Sequence, residues 1–248
     1  MAIKQSYPKA ETVDIVGNLV QEINGDSIEL TEGNWVDNGD GTYTHNVCRT
    51  WWIKVGYKFV DSVRTDIEHE VISVVKDTSI TVTNDNTFFP TNPSIPLPDV
   101  SYFHGSVIDT NLQLNTYQFT EDITPMIYFL EQYDETYFTN DSILDREANI
   151  RLFFLESANF VDWTNDQHYE NAIYYARQIL EYFIYEVVFK AKGIHSDLIE
   201  EYDTTNRVKF GVYTTDRGNL NHVFDKELTG IELRINLPIT KNYVDCFC

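Results

Sequence analysis

Apolar residues recur with two different periods in the second half of the chain, and each period predicts a different element. Ile231, Leu233, Ile235 and Leu237 alternate with Glu232, Arg234 and Asn236, which reads as a strand with one buried face and one wet face. Val208, Phe210 and Val212 alternate likewise within residues 207–213, which we read as its antiparallel partner. Between Thr164 and Lys192 the spacing changes to three and four. Tyr169, Ala172, Ile173, Ala176, Ile179, Leu180, Phe183 and Val187 then share one helical stripe. Thr164-Asn165-Asp166-Gln167 fits a capping box at the start of that helix, and Lys190 and Lys192 ahead of Gly193 suit its end. The apolar segment 150–155 precedes the helix and completes an α/β unit. Residues 126–130, after Pro125, are too few for periodicity to separate helix from strand; we read them as a strand.

The first hundred residues carry a β signal. Segments 27–30, 51–60, 68–75 and 79–83 mix β-branched and aromatic residues between turn clusters such as Asp37-Asn38-Gly39-Asp40-Gly41. Short strands this closely spaced predict a small barrel or sandwich, with Gly56 at a bend or bulge. Pro90, Pro93, Pro96 and Pro98 crowd residues 88–98, which places a stiff, extended connector and a domain boundary there. The expected organisation is therefore α+β: a β-rich domain over residues 1–98 and, over 99–248, an antiparallel sheet with flanking helices. Residues 214–230 are too long for a tight turn, and this excursion is the expected contact arm for a second copy, through Asp216, Arg217, Asn219, Leu220 and Phe224.

A formal net charge of −21 excludes broad wrapping of nucleic acid, because each phosphate contact needs a Lys or Arg to displace counterions. An acidic wall could instead line a channel through which DNA slides. There is no run of roughly eighteen apolar residues and no basic-then-apolar start, so neither a membrane span nor an export signal is expected. Cys48, Cys246 and Cys248 form no even framework, as suits a reducing compartment.

Candidate chemistry is thin. The 37–42 turn has oxygen ligands at spacings close to a calcium loop, yet lacks the distal bidentate Glu; a hairpin turn is the better reading. Cys246 and Cys248 lack the spacing and second pair of a zinc site. His45, His69, His104, His168, His195 and His222 are scattered outside any hydrolase, nucleotide or metalloprotease motif, so neither a catalytic residue nor a cofactor is assigned. Trp51 and Trp52, with Tyr57 and Phe59, could stack on sugar rings, although adjacent strand residues face opposite ways. A carbohydrate-reading or host-attachment module is thus the alternative function.

The run Ile150-Arg151-Leu152-Phe153-Phe154-Leu155, then Phe160-Val161-Asp162-Trp163-Thr164 leading into the helix, then Val208-Lys209-Phe210-Gly211-Val212-Tyr213 and Gly230-Ile231-Glu232-Leu233-Arg234-Ile235, resembles bacteriophage neck and tail-completion proteins. The resemblance covers roughly residues 123–237. It implies a tail-terminator-like sheet flanked by helices, preceded by a barrel similar to those of head-to-tail connectors. It also implies a sixfold or twelvefold homo-oligomeric ring in the virion neck or tail, assembled in the host cytoplasm, contacting other neck and tail proteins and surrounding the DNA channel. The fusion of both domains in one chain resembles ring proteins of short-tailed gut phages, including the crAss-like group.

Overall fold

The computed structural model describes residues 11–30, 35–84, 88–92, 94–141, 143–214 and 220–241. The chain divides into two compact units: one comprises Asn24–Asp99, the other Met1–Ile23 together with Val100–Cys248. The N-terminal helix, however, belongs with the second unit and not with the β-rich one.

The Asn24–Asp99 unit carries seven described strands: β1 (Ser27–Glu29), β2 (Val36–Asp37), β3 (Thr42–Asn46), β4 (Lys58–Val60), β5 (Glu68–Val75), β6 (Ser79–Thr83) and β7 (Ser94–Pro96). Five of them form an antiparallel sheet in the order β2-β3-β6-β5-β4, while β1 pairs with β7 in a separate ribbon. Among the described residues the five-stranded sheet does not close on itself, so of the expected barrel or sandwich the closed barrel is not formed. Tyr43, Phe59, Val71, Ile80 and Val82 bury one face of it, as alternation requires.

Two further expectations fail here for local reasons. Only the last three residues of segment 51–60 are strand, because Trp51 (φ 45°) and Gly56 (φ 88°) turn the chain. Gly56 donates its N–H to Val71 O at 2.7 Å, fixing the turn that leads into β4. The proline-rich segment is not an extended connector: β7 lies inside it, Trp52 Nε1 donates to Pro98 O at 2.8 Å, and Leu97 N donates to Asp26 O at 2.9 Å. A proline is tolerated at Pro96 because β7 belongs to a two-stranded ribbon and is never central.

The second unit begins with α1 (Thr12–Gln21) and continues through β8 (Ser101–Gly105), α2 (Val107–Leu114), β9 (Met126–Leu130), β10 (Asp134–Tyr137) and β11 (Leu144–Ser157). A helical run over residues 165–190, α3, follows, then β12 (Tyr202–Phe210), β13 (Val212–Thr214), β14 (Leu220–His222) and β15 (Leu228–Thr240). The sheet order is β12-β15-β11-β9-β8, with β10 also pairing β11 beyond the end of β9. Residues 126–130 are a fully buried strand, as read. The sheet is mixed, not antiparallel throughout, since β8 and β9 run parallel through the α2 crossover.

The capping box at Thr164 is present: Thr164 N donates to Gln167 Oε1 at 2.8 Å and Gln167 N to Thr164 Oγ1 at 3.4 Å. α3 contains π-helical turns at Tyr169–Ile173 and Phe183–Val187 and closes in a 3-10 turn at Val188–Lys190. Each wide turn shifts the stripe, which is why Tyr169 is 47% exposed while Ala172, Ala176, Ile179 and Phe183 are buried. One sheet face, bearing Ile150, Leu152 and Phe154 of β11 and Ile231, Leu233 and Ile235 of β15, packs against α3; Phe154 and Phe183 rings lie 5.7 Å apart. The opposite face holds a second core cluster that includes Phe103, Leu114, Tyr128, Phe153 and Phe224.

Two positions fix this unit. Gly230 lies so close to β11 that an added Cβ would sit 1.8 Å from Phe154 O. Arg146, 2% exposed, donates to Glu135 Oε1 at 3.0 Å, to Asp145 Oδ2 at 2.8 Å and to Thr12 Oγ1 at 3.3 Å, tying α1 and β10 to β11. Gly230→Ala is expected to cost roughly 3 kcal/mol or more, because rigid backbone and not a side chain must move. Arg146→Met should cost about 3–5 kcal/mol by leaving Glu135 and Asp145 without their cation. Chemical denaturation followed by tryptophan fluorescence measures both.

Candidate functional site

The alternation along β15 assigns Glu232, Arg234 and Asn236 to a wet face, yet Glu232 is 0% exposed. Register explains this. Glu232 stands opposite Phe153 of β11 and Thr205 of β12, and Arg234 stands opposite Arg151 and Asp203, so neighbouring strands bring cations to a carboxylate in the middle of the sheet. Arg151 Nε donates to Glu232 Oε1 at 2.8 Å, Arg234 Nε to the same oxygen at 2.7 Å, and Arg207 Nε to Oε2 at 2.8 Å. A second nitrogen of Arg151 lies 2.7 Å from Oε1, and Arg207 Nη2 also bonds Oε2. Burial opposes the charge on Glu232. The hydrogen bonds from Arg234, Arg207 and Arg151 outweigh it and hold the carboxyl below its ordinary value.

Three guanidiniums on one carboxylate leave positive charge in a strongly acidic chain. Their side chains are 34% (Arg151), 39% (Arg207) and 51% (Arg234) exposed, so the cations reach solvent while their anchor does not. Beside them lies a cleft of about 320 Å³ lined by Arg151, Arg207 and Lys209 and by aromatic and branched side chains. Its floor is a ring stack: Phe153 to Phe210 at 4.8 Å, Phe210 to Phe224 at 5.2 Å and Tyr128 to Phe153 at 5.6 Å between centroids. The positive φ of Lys209 (54°) and Gly211 (79°) breaks the strand here, so β12 and β13 are separate and the chain bends around the cleft. A concave, mainly apolar site with a few fixed charges has the general form of a binding pocket. A more polar cleft of about 340 Å³, lined by Arg151, Arg234, Asp203 and Asn236 among others, lies on the other side of Arg151.

Comparison with protein-family models, with curated proteins and with solved structures finds no match to this chain. The site is therefore read from its own geometry.

The expected contact residues have different fates. Asp216, Arg217 and Asn219 lie outside the described residues, and only the backbone of Leu220 is described, paired with Thr214 in the β13–β14 hairpin. Phe224 is 3% exposed and stacks in the cleft floor, where it anchors the end of the excursion. In the described part of the excursion β13 pairs with β14, and the chain returns to the sheet at Leu228. Nothing in the alternation of β15 distinguishes Glu232 from a solvated residue. The signal that could have found it is the presence of Arg151, Arg207 and Arg234 on three strands that pair, which requires the register.

Other candidates resolve into structure. Asp61 is buried and accepts from Val63 N, Arg64 N, Thr91 N and Thr91 Oγ1 at 2.6–2.9 Å and from His69 Nε2 at 3.1 Å. Burial opposes its charge, but the bonds from Thr91, Arg64 and Val63 prevail and hold the carboxyl well below the usual range. Asn84 Oδ1 accepts from Phe88 N at 3.0 Å, which orients the amide so that Nδ2 donates to His69 Nδ1 at 3.2 Å. His69 is therefore the Nε2–H tautomer donating to Asp61, and both ring nitrogens are engaged, one by the side chain that holds Thr91 and the other by the one that holds Phe88. His168 is 0% exposed, bonded to Thr229 Oγ1 at 3.0 Å; burial and Lys209 lower its pKa against the pull of Glu227. In the 37–42 turn Asp37 Oδ1 accepts from Gly39 N at 2.8 Å and Asp40 Oδ1 from Thr42 N at 3.0 Å, as a hairpin turn requires. No cluster of metal-ligating side chains occurs among the described residues. Trp52 is 1% exposed, so Trp51 and Trp52 do not form a paired stacking platform. Among the described residues no helix is long and apolar enough to cross a membrane.

Because its folded pKa is depressed, Glu232 stabilises the fold above the ordinary carboxylate range, and this contribution is lost as pH falls through the folded value. Glu232→Gln should be less stable by about 2–3 kcal/mol at pH 7, below the cost of breaking a fully buried pair because the arginines stay hydrated. The deficit should shrink as pH drops below about 4. Urea denaturation of both proteins at several pH values tests this; a deficit independent of pH would remove the electrostatic account.

Proposed function

We propose that this chain is a structural virion protein, a subunit that multimerises into a sixfold or twelvefold ring in a phage neck or tail, joins the portal or adaptor to the tail, and surrounds the DNA channel. The observation that carries this reading is the edge of the larger sheet. β12 pairs only with β15 among the described residues, Asp203–Asn206 are exposed along it, and the β13–β14 hairpin follows directly. A ring subunit needs two different surfaces that recognise one another and close by rotation, and an open edge with an adjoining arm supplies one of them. An edge left bare would invite uncontrolled pairing, and Asp203 and Arg207 blunt it. The net charge of −21 supports a lumen that DNA slides past, and the helices packed on one sheet face support a tail-terminator-like arrangement.

Native mass spectrometry and electron microscopy of the purified protein at tens of micromolar are expected to show a closed ring, and virions should contain the chain. Arg217→Glu, at one of the contact positions expected from the sequence, should shift the ring toward smaller species. A chain that remains monomeric and is absent from particles overturns the reading.

A further inference from the structure

We infer that the cleft beside Arg151 and Arg207 is a binding site for a carboxylate carried on an aromatic or branched apolar body. Its charge is built in. Glu232 is fully buried and takes two donors from Arg151, two from Arg207 and one from Arg234, while each guanidinium has five. The buried carboxylate holds the forks in place from beneath, so a ligand entering from solvent meets cations whose orientation is already fixed, and little ordering entropy is lost on binding. Among the described residues no second acid lies on Arg151 or Arg207.

The site's other wall selects the body. Tyr128, Phe153, Phe210 and Phe224 form a continuous aromatic floor, and Val212 and Val223 close one side; Val223 is 38% exposed. A cleft of about 320 Å³ admits one two-ring group or a pair of side chains. Lys209 lines the cleft, but its ammonium is committed to Phe160 O at 2.9 Å and to the Phe160 ring. The charge on offer is therefore the surplus of Arg151 and Arg207, whose planar forks match a planar carboxylate two bonds at a time, and a monoanion suits it better than a dianion. The ligand chemistry has two sources: a free aromatic acid, or an acidic residue beside an aromatic one on a neighbouring chain. The inference does not rest on the ring reading, since monomeric protein that binds the probe fails that reading and meets this one.

The test is titration of the full chain with 2-naphthoate, followed by calorimetry and by NMR of the labelled protein. Saturable one-to-one binding is expected, with shifts at Gly211, Val212 and Val223. Arg207→Gln should weaken it about tenfold or more, the loss of one charged bidentate contact. Val223→Trp, which fills the cleft from its exposed rim and leaves every arginine in place, should abolish binding while the melting temperature is kept. That variant carries the test if Arg207→Gln fails to fold. Where the protein self-associates, dissociation by naphthoate assigns the source to a neighbouring chain, and unchanged assemblies with full binding assign it to a free acid; each supports the site. Equal affinity for neutral 2-naphthalenemethanol, tighter binding of 2-naphthyl phosphate, or affinity unchanged by Val223→Trp overturns it.

Discussion

A carboxylate shut away from water stays charged only when cations come to it, and at Glu232 three arrive from three strands. β12, β15 and β11 each contribute one arginine, so the ion cluster is a record of their register: slip any strand by one residue and its arginine turns to the opposite face. The same register brings Gly230 against Phe154 O, a contact that only a residue without a side chain permits. Chain pairing and charge pairing thus constrain one another at the centre of the sheet. The arginines also set the chemistry of this face, since they give an acidic protein an ordered cationic cluster beside an aromatic cleft.

The two faces of the larger sheet divide the labour. One is sealed by α3 over Ile150, Leu152, Phe154, Ile231, Leu233 and Ile235, all of them buried. The other is sealed only in part, by α2 and the chain leading to β9, where Phe103, Leu114, Tyr128 and Phe153 meet. At the edge of that partial cover the aromatic floor opens into the cleft, and beyond it the surface becomes the charged row of Arg151, Arg234 and Asp203. A face that is neither fully buried nor fully wet is where a partner or ligand can be recognised by apolar and charged groups together. In the smaller unit, by contrast, the buried acid Asp61 spends its bonds on backbone amides, Thr91 and His69, and so secures a loop instead of presenting charge.

Much of the element list was legible because its signals are local. Period-two alternation marked β15, three-and-four spacing marked α3, and Thr164 with Gln167 marked its first turn to the residue. Less was legible where one residue's backbone decides. Trp51 with positive φ ended a strand that its neighbours favoured, and Lys209 with Gly211 split another. Prolines 90 to 98 read as a connector because proline opposes a central strand, yet a ribbon edge accepts one, and Trp52 and Asp26 bind the segment into its unit.

By itself the sequence determined the α+β composition, the long capped helix, the strand at 126–130 and the 231–237 part of the last strand, since each follows from residues a few positions apart. Only the tertiary structure decided that the first sheet stays open, that β8 and β9 run parallel, that α1 joins the second unit, and that Glu232 is a buried anchor and not a solvated side chain. The reason is distance along the chain. Arg151 and Glu232 are 81 positions apart, and no local pattern records that they will meet.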